Sequence, residues 1–341
     1  MKILAIDTSC DETSVAVTDG QKILVNKIYS QVLIHKKWGG VVPSLAKRAH
    51  EEHIDVVVNE VFKKVEQSQI DAFAVTFGPG LAVALEVGIL KAKELSIKYK
   101  KPLIAVNHME GHIYSCFAQN SVGNPKSEFK FPYIALLISG GHTELVLFKD
   151  QGVYEILGQT LDDAAGEALD KAAKLIGLGY PGGAVIEELA IKGDKTFLKL
   201  PRPMKGSKDL NFSFSGLKTS FYYYYRDLSD NEKTSQLYDL AASYQEAVFD
   251  SVLHKLEKAI IQTGVSSLVV GGGVAANKYL RERIRQLAKK HAGSVRFPPY
   301  KYLYGDNAAM IGIAAHFKAQ KGDFVKDLTS LHRVPRLSLS S

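Results

Sequence analysis

The chain has 341 residues, 46% hydrophobic and 23% charged, with 43 Lys and Arg against 36 Asp and Glu, a net charge of +7. This composition excludes wholesale disorder and low-complexity repeats and leaves material for two domain cores. The basic balance suits an anionic partner such as nucleic acid, and solvated lysines account for it equally well.

The run Ile3–Val17 reads as two apolar strands around a turn of hydroxyl and acidic residues. The acid at Asp7 interrupts the apolar start too early for a signal peptide, and no stretch reaches the ~18 apolar residues of a membrane span. Cys10 and Cys116 lie outside any CxxC pair, which excludes a disulfide framework or zinc ribbon. A soluble, cytoplasmic protein with no membrane partner is expected.

Ile54, Val57, Val58, Val61, Phe62 and Val65 step as one helical stripe. A strand at 72–77 runs through Gly78-Pro79-Gly80 into a helix ending near Lys98. The strand–turn–strand pattern returns at Tyr133–Phe148, with Ser139-Gly140-Gly141-His142-Thr143-Glu144 as the turn, and predicts an internal duplication. Ala165, Leu169, Ala173 and Ile176 mark a further helix opened by Asp162 and Asp163. Residues 201–215 read as a long loop. Leu268–Val270, Gly271–Gly273 and a helix over 276–287 give strand, glycines, helix, and the tail after Leu331 is expected to be mobile. Alternating strands and helices make the class α/β.

His108-Met109-Glu110-Gly111-His112 places two imidazoles four residues apart on one helix face. The pair can hold one metal ion; a surface or core pair explains it too. Glu110 lies about 200° around the helix from His108, so a protease-type general base is missing. Asp306, at the start of an apolar helix, is either a third ligand or a helix cap. Two histidines and a carboxylate leave coordination positions open, as at iron(II) or zinc sites. The turns at 8–13 and 139–143 offer backbone N–H groups suited to phosphate, without any GxxxxGK[ST] loop. The tyrosine run 222–225 spans a full helical turn and cannot form one stacking face. The densest basic stretch, Arg281 to Lys301, either touches RNA backbone or is solvated helix surface.

These segments together resemble the tRNA N6-adenosine threonylcarbamoyltransferase family, once labelled O-sialoglycoprotein endopeptidases, over 3–315. The motifs are IDTSCDETS (Ile6–Ser14), NHMEGH (Asn107–His112), LLISGGHTEL (Leu136–Leu145), DDAAGEALDKAAKLIGLGYPGG (Asp162–Gly183), FSFSGLKT (Phe212–Thr219), GGGVAAN (Gly271–Asn277) and GDNAAM (Gly305–Met310). His142 is similar to the bacterial and mitochondrial branch.

The resemblance implies two duplicated α/β domains of the actin, Hsp70 and sugar-kinase superfamily with a nucleotide cleft. The expected division is 1–107 plus 303–330, then 108–302, with 331–341 as the tail. It implies one divalent metal ion, iron(II) or zinc, on His108, His112 and Asp306. The activated substrate, threonylcarbamoyl-adenylate or an ATP- or AMP-type nucleotide, would meet Leu137, Ile138, Ser139, Gly140 and Gly141. Asp170 and Gly183 match nucleotide-side positions, Asp170 facing ribose hydroxyls; Asn277 matches the adenine side. Glu187 stands where many relatives carry Asp, and Glu86 departs from the common GPGLVGALLVG pattern.

The implied reaction moves threonylcarbamoyl to the N6 amine of the adenosine 3′ of the anticodon in tRNAs reading codons that begin with A, releasing AMP. Asp11 is the candidate proton acceptor. The implied partners are tRNA, an inactive shorter paralogue and a small P-loop ATPase. The rival readings are a carbamoyltransferase with a small-molecule acceptor, a sugar-kinase-like ATP phosphotransferase and a catalytically silent subunit.

Overall fold

Ile3, Leu4, Ala5 and Ile6 are consecutive apolar residues, the pattern of a strand covered on both faces, and all four are fully buried in β1 (Lys2–Asp7). This computed structural model describes residues 1–126 and 129–340. β1 pairs antiparallel with β2 (Glu12–Asp19), which pairs with β3 (Lys22–Ser30). Helices α1 (Val32–Lys36) and α2 (Pro43–Phe62) follow. β4 (Ala72–Gly78) lies parallel to β1 on its other side, and after α3 (Ala82–Tyr99) β5 (Leu103–Asn107) adds parallel to β4. The chain then enters α4 (His108–Ser115), and the sheet order is β3-β2-β1-β4-β5.

A second sheet repeats this topology. β6 (Tyr133–Ile138) and β7 (Thr143–Asp150) form an antiparallel hairpin, and β8 (Val153–Gln159) sits beyond β7. Five helices intervene: α5 (Ala165–Leu175), α6 (Gly182–Ala190), α7 (Ser215–Arg226), α8 (Asp230–Ser235) and α9 (Leu237–Thr263). β9 (Ser267–Gly271) is parallel to β6; after α10 (Lys278–Lys290), β10 (Ser294–Arg296) is parallel to β9. Each sheet is thus an antiparallel three-strand meander followed by two parallel strands. The last long helix, α11 (Ala308–Gln320), is apolar along most of its length and is buried from Ala308 to Ala315.

The chain divides into two units. The first comprises Met1–Phe131, Asp150–Tyr154 and Phe297–Ser341; the second comprises Pro132–Lys149 and Glu155–Arg296. The sequence-based boundary between 107 and 108 falls inside the first unit. The cause is Gly111, which lets α4 and α11 touch: a Cβ there would sit 2.9 Å from Ile311 Cδ1 and 3.0 Å from Met310 Cγ. Residues 331–340, expected to be mobile, pack on this unit. Val334 N–H donates to the Phe77 carbonyl (2.7 Å), Gly80 N–H to the Pro335 carbonyl (3.1 Å) and Asn107 Nδ2 to the Ser338 carbonyl (3.0 Å). Glu86, the unusual charge in α3, pairs with Arg333 at 2.6 Å.

Two local expectations change. The expected stripe from Ile54 to Val65 belongs to a helix that starts earlier, at Pro43, a residue pre-set for the first helical position, and stops at Phe62, so Val65 lies beyond it. Asp162 does not open α5; its carboxylate accepts from Phe214 N–H (2.8 Å) and Ser213 Oγ (2.5 Å) at the start of α7. Among the described residues no helix is long and apolar enough to cross a membrane.

Candidate active site

Asn107 starts α4 by accepting from Met109 N–H at 2.9 Å. The helix that follows carries His108 and His112 on one face, their rings edge to face with centroids 4.7 Å apart. Asp306 arrives from the loop before α11. Its neighbour Asn307 caps that helix, accepting from Met310 N–H at 3.0 Å, so the Asp306 carboxylate is released from capping. Asp306 Oδ1 lies 3.3 Å from His108 Nε2 and 3.3 Å from His112 Nε2. One ligand atom from each of the three falls within 4.8 Å of the others. Ser14 Oγ accepts from Ala308 N–H at 2.8 Å, fixing α11 to β2.

The electrostatics of the triad are uneven. Burial opposes charge on His108, but Asp306 and Asp7 outweigh it and push its pKa up to about 10. Burial keeps His112 neutral, below the usual histidine range. Asp306 is itself disfavoured by burial, yet His108 and His112 hold it well below the usual carboxylate range. His108 Nδ1, both ring nitrogens of His112 and Asp7 Oδ2 are buried without a hydrogen bond. The orphaned His112 Nε2, together with His108 Nε2 and the Asp306 carboxylate, forms a donor set that a divalent iron or zinc ion would satisfy. The three residues fit such an ion.

Asp7 was not singled out from sequence. It ends β1 after four apolar residues, and its Oδ2 stands 3.8 Å from His108 Nδ1, the ring nitrogen other than the one facing Asp306. Beside it, the turn of residues 8–11 is held rigidly. Thr8 Oγ1 donates to the Ala84 carbonyl at 2.8 Å, and Gly88 leaves room for that hydroxyl. Asp11 is buried, and its carbonyl accepts from Gln31 N–H at 2.9 Å. Burial and the Asp11 charge raise the Cys10 thiol and the Glu12 carboxyl well above their usual ranges. Glu110 points away from the triad: its Oε1 accepts from Tyr154 Oη at 2.9 Å. Glu110 is thus engaged with Tyr154.

The remaining candidates all lie in the second unit. Leu137 and Ile138 are buried strand residues, so only their backbone is available to a ligand. Ser139 N–H donates to the His142 carbonyl (2.9 Å) and Ser139 Oγ accepts from His142 N–H (3.1 Å), closing the turn. A Cβ at Gly140 or Gly141 would meet open space, so the outer face of this turn is bare backbone. Asp170 Oδ1 accepts from Gly182 N–H (2.7 Å) and Gly183 N–H (3.0 Å), which ties α5 to the start of α6 through one carboxylate oxygen. Burial raises this carboxyl, and the two N–H groups partly offset it. Asn277 caps α10 by accepting from Leu280 N–H (2.9 Å) and gives one amide hydrogen to Gln245 Oε1 (2.8 Å). Glu187 Oε1 accepts from Lys278 N–H at 2.7 Å. Glu187, Gln245, Lys278 and Tyr279 line a cavity of about 150 Å³.

Glu144, next to the Ser139–Thr143 turn, is pushed up to about 7 by burial. Between the usual carboxylate value and pH 7 the folded chain keeps a proton that the unfolded chain has released. Stability therefore falls as pH rises through that window and levels off above it. Glu144→Gln removes this dependence. Its melting temperature is expected to exceed that of the parent by about 2–4 °C at pH 8, with a smaller gap at pH 5, in thermal melts across that range.

The family model for tRNA N6-adenosine threonylcarbamoyltransferase matches residues 22–313. A relative of that name from Thermotoga neapolitana is 46% identical over 325 residues, covering 95% of this chain and 96% of its own length. Another, from Kosmotoga olearia, is 44% identical over 343 residues and covers both chains entirely. Among solved structures, HypF from T. kodakarensis superposes with a TM-score of 0.62 at 15% identity over 94% of this chain, which spans 48% of the HypF chain, and shows the fold alone. The chain belongs to the tRNA N6-adenosine threonylcarbamoyltransferase family and is a transferase of tRNA modification.

Proposed function

We propose that this chain transfers the threonylcarbamoyl group from threonylcarbamoyl-adenylate to the N6 amine of the adenosine 3′ of the anticodon, in tRNAs reading codons that begin with A. The observation that carries the reading is the convergence of His108, His112 and Asp306 within 4.8 Å, in a chain of this family. The amine nitrogen bonds to the carbamoyl carbon, the bond from that carbon to the phosphate oxygen breaks, and AMP leaves with the electron pair. An exocyclic amine on an aromatic ring is a weak nucleophile, so the carbonyl needs polarising. An iron(II) or zinc ion on His108, His112 and Asp306 would supply Lewis acidity there.

Each residue then has a task. The bare backbone of Gly140 and Gly141 is suited to the adenylate phosphate. Asp170, through the oxygen not bonded to Gly182 and Gly183, is suited to ribose hydroxyls with Gly183 beside it; Glu187, which holds Lys278 N–H, is assigned to the same nucleotide side, and Asn277 keeps one amide hydrogen for the base. Asp11 accepts the amine proton. Asp11→Asn is expected to slow single-turnover transfer by about a hundredfold while adenylate binding holds; an unchanged rate removes Asp11 from the mechanism. The tRNA, a shorter inactive paralogue and a small P-loop ATPase complete the proposed system in the cytoplasm.

The test is reconstitution. Purified chain, unmodified tRNA, labelled threonine, bicarbonate, ATP, the adenylate-forming enzyme and both partner proteins are combined beside a working reference enzyme. Label in tRNA supports the reading. No label beside an active reference overturns it.

A further inference from the structure

Residues 31–50 link β3 to the first part of α2 and present an exposed outer part at 36–39. This segment holds Lys36, Lys37, Lys47 and Arg48 and no Asp or Glu, in a chain whose overall balance is 43 to 36. Lys47 pairs with Glu51 at 3.6 Å, whereas Lys36, Lys37 and Arg48 are exposed and have no ion pair among the described residues. Between them stands Trp38, the only tryptophan of the chain, 57% exposed; Leu33 is 83% exposed. Gly39 and Gly40 follow with φ of +67° and +155°, turning the chain back toward α2.

The root of the segment is fixed. Buried His35 bonds Gln31 Oε1 through Nε2 (3.1 Å) and accepts from Val42 N–H through Nδ1 (3.3 Å), so the outward loop closes on itself. At the start, Gln31 N–H donates to the Asp11 carbonyl. At the end, His50 bridges Thr13 Oγ1 (2.7 Å) and the Cys10 carbonyl (3.0 Å). Both ends are therefore tied to the turn that carries Asp11.

An exposed indole among unpaired cations suits a single-stranded nucleic acid: a base stacks on the ring and its neighbouring phosphates take the charges. A lipid surface also attracts tryptophan and lysine, but α1 has only five residues, too short for an amphipathic helix lying in an interface. We propose that residues 33–48 form a stacking platform for an unpaired base of the anticodon loop, with Trp38 against the base and Lys36, Lys37 and Arg48 on the adjoining phosphates. The proposal rests on the tRNA reading above and assigns the surface that receives it.

Because Trp38 is the sole tryptophan, its emission reports on this position alone. An unmodified anticodon stem-loop is titrated into the chain, with anisotropy of the labelled RNA as an independent measure of binding. The expected result is saturable quenching, with affinity lowered roughly ten- to hundredfold in Trp38→Ala and kept in Trp38→Phe. Removing Lys36, Lys37 and Arg48 together is expected to lower the slope of log affinity against log salt by about 2. In the complete system, Trp38→Ala raises KM for tRNA, with kcat and adenylate binding unchanged. Unchanged KM in Trp38→Ala overturns the proposal while active transfer keeps the tRNA reading intact. Quenching by anionic phospholipid vesicles or by a partner protein, without any response to RNA, overturns it equally. Absence of both transfer and RNA binding overturns the two readings together.

Discussion

Replacing His112 with alanine is expected to empty the metal centre and slow transfer by about a thousandfold, since a Lewis acid at a carbonyl supplies several kcal/mol of transition-state stabilisation. His112 is the informative choice because of its charge state. Burial holds it neutral, so truncation leaves no unpaired ion behind, only a cavity costing roughly 2–4 kcal/mol. His108 differs: it is the cation that offsets Asp306 and Asp7 in the metal-free chain. His108→Ala leaves two carboxylates facing an empty ring site and is expected to melt below His112→Ala when both are metal-free. Metal stoichiometry, single-turnover rate and melting temperature are read on the three proteins. A His112→Ala chain that keeps one equivalent of metal and the parental rate would sink the assignment.

The second large effect is one of stability. Gly272 sits between β9 and α10 with φ of +99°, and a Cβ there would come 2.4 Å from the Ile138 carbonyl oxygen and 2.8 Å from its carbon. Neither atom belongs to a flexible side chain that can swing away. Overpacking and left-handed strain together are expected to cost about 2–5 kcal/mol in Gly272→Ala, on the order of 5–15 °C in melting temperature. The backbone that would have to shift continues directly into Ser139-Gly140-Gly141, so under the proposed function adenylate affinity is expected to fall as well. Gly273 supplies the control: it is exposed, has no positive φ, and a Cβ there would touch nothing. Gly273→Ala is expected to melt like the parent. If the two alanines behave alike, the close approach of Gly272 to β6 is not what holds this crossing together.

Legibility from sequence followed the range of the forces involved. β4, α3 and β9 were readable because apolar runs there are bounded by glycine and proline. The first half of α2 was not, because its buried face is made of Ala46, Ala49 and His50 rather than large apolar residues. The spacing of His108 and His112 predicted a shared face, and the helix provides it. Asp306 and Asn307 are adjacent and both able to cap, so sequence left ligand and cap as alternatives; the extended backbone at Asn307 gives it the cap and leaves Asp306 facing the histidines. Asp7 had no local signature, since its meaning lies in a histidine a hundred residues later. Asp162 misled for the same reason: it satisfies backbone more than fifty residues downstream. The unit boundary depends on Gly111 meeting Met310 and Ile311, a contact no local pattern announces.

Along the segment that returns over the first unit, the register is set by main-chain atoms: the N–H of Val334 and the carbonyls of Pro335 and Ser338. Any residue other than proline can offer such an N–H, and every residue offers the carbonyl. At those three positions composition is thus freer to drift than register, because a single inserted or deleted residue would move the carbonyl that Asn107 grips. Asn107 also starts the helix bearing both histidines. Over evolutionary time, length changes here should be rarer than substitutions, and a family member with a shifted register should show a compensating change at position 107.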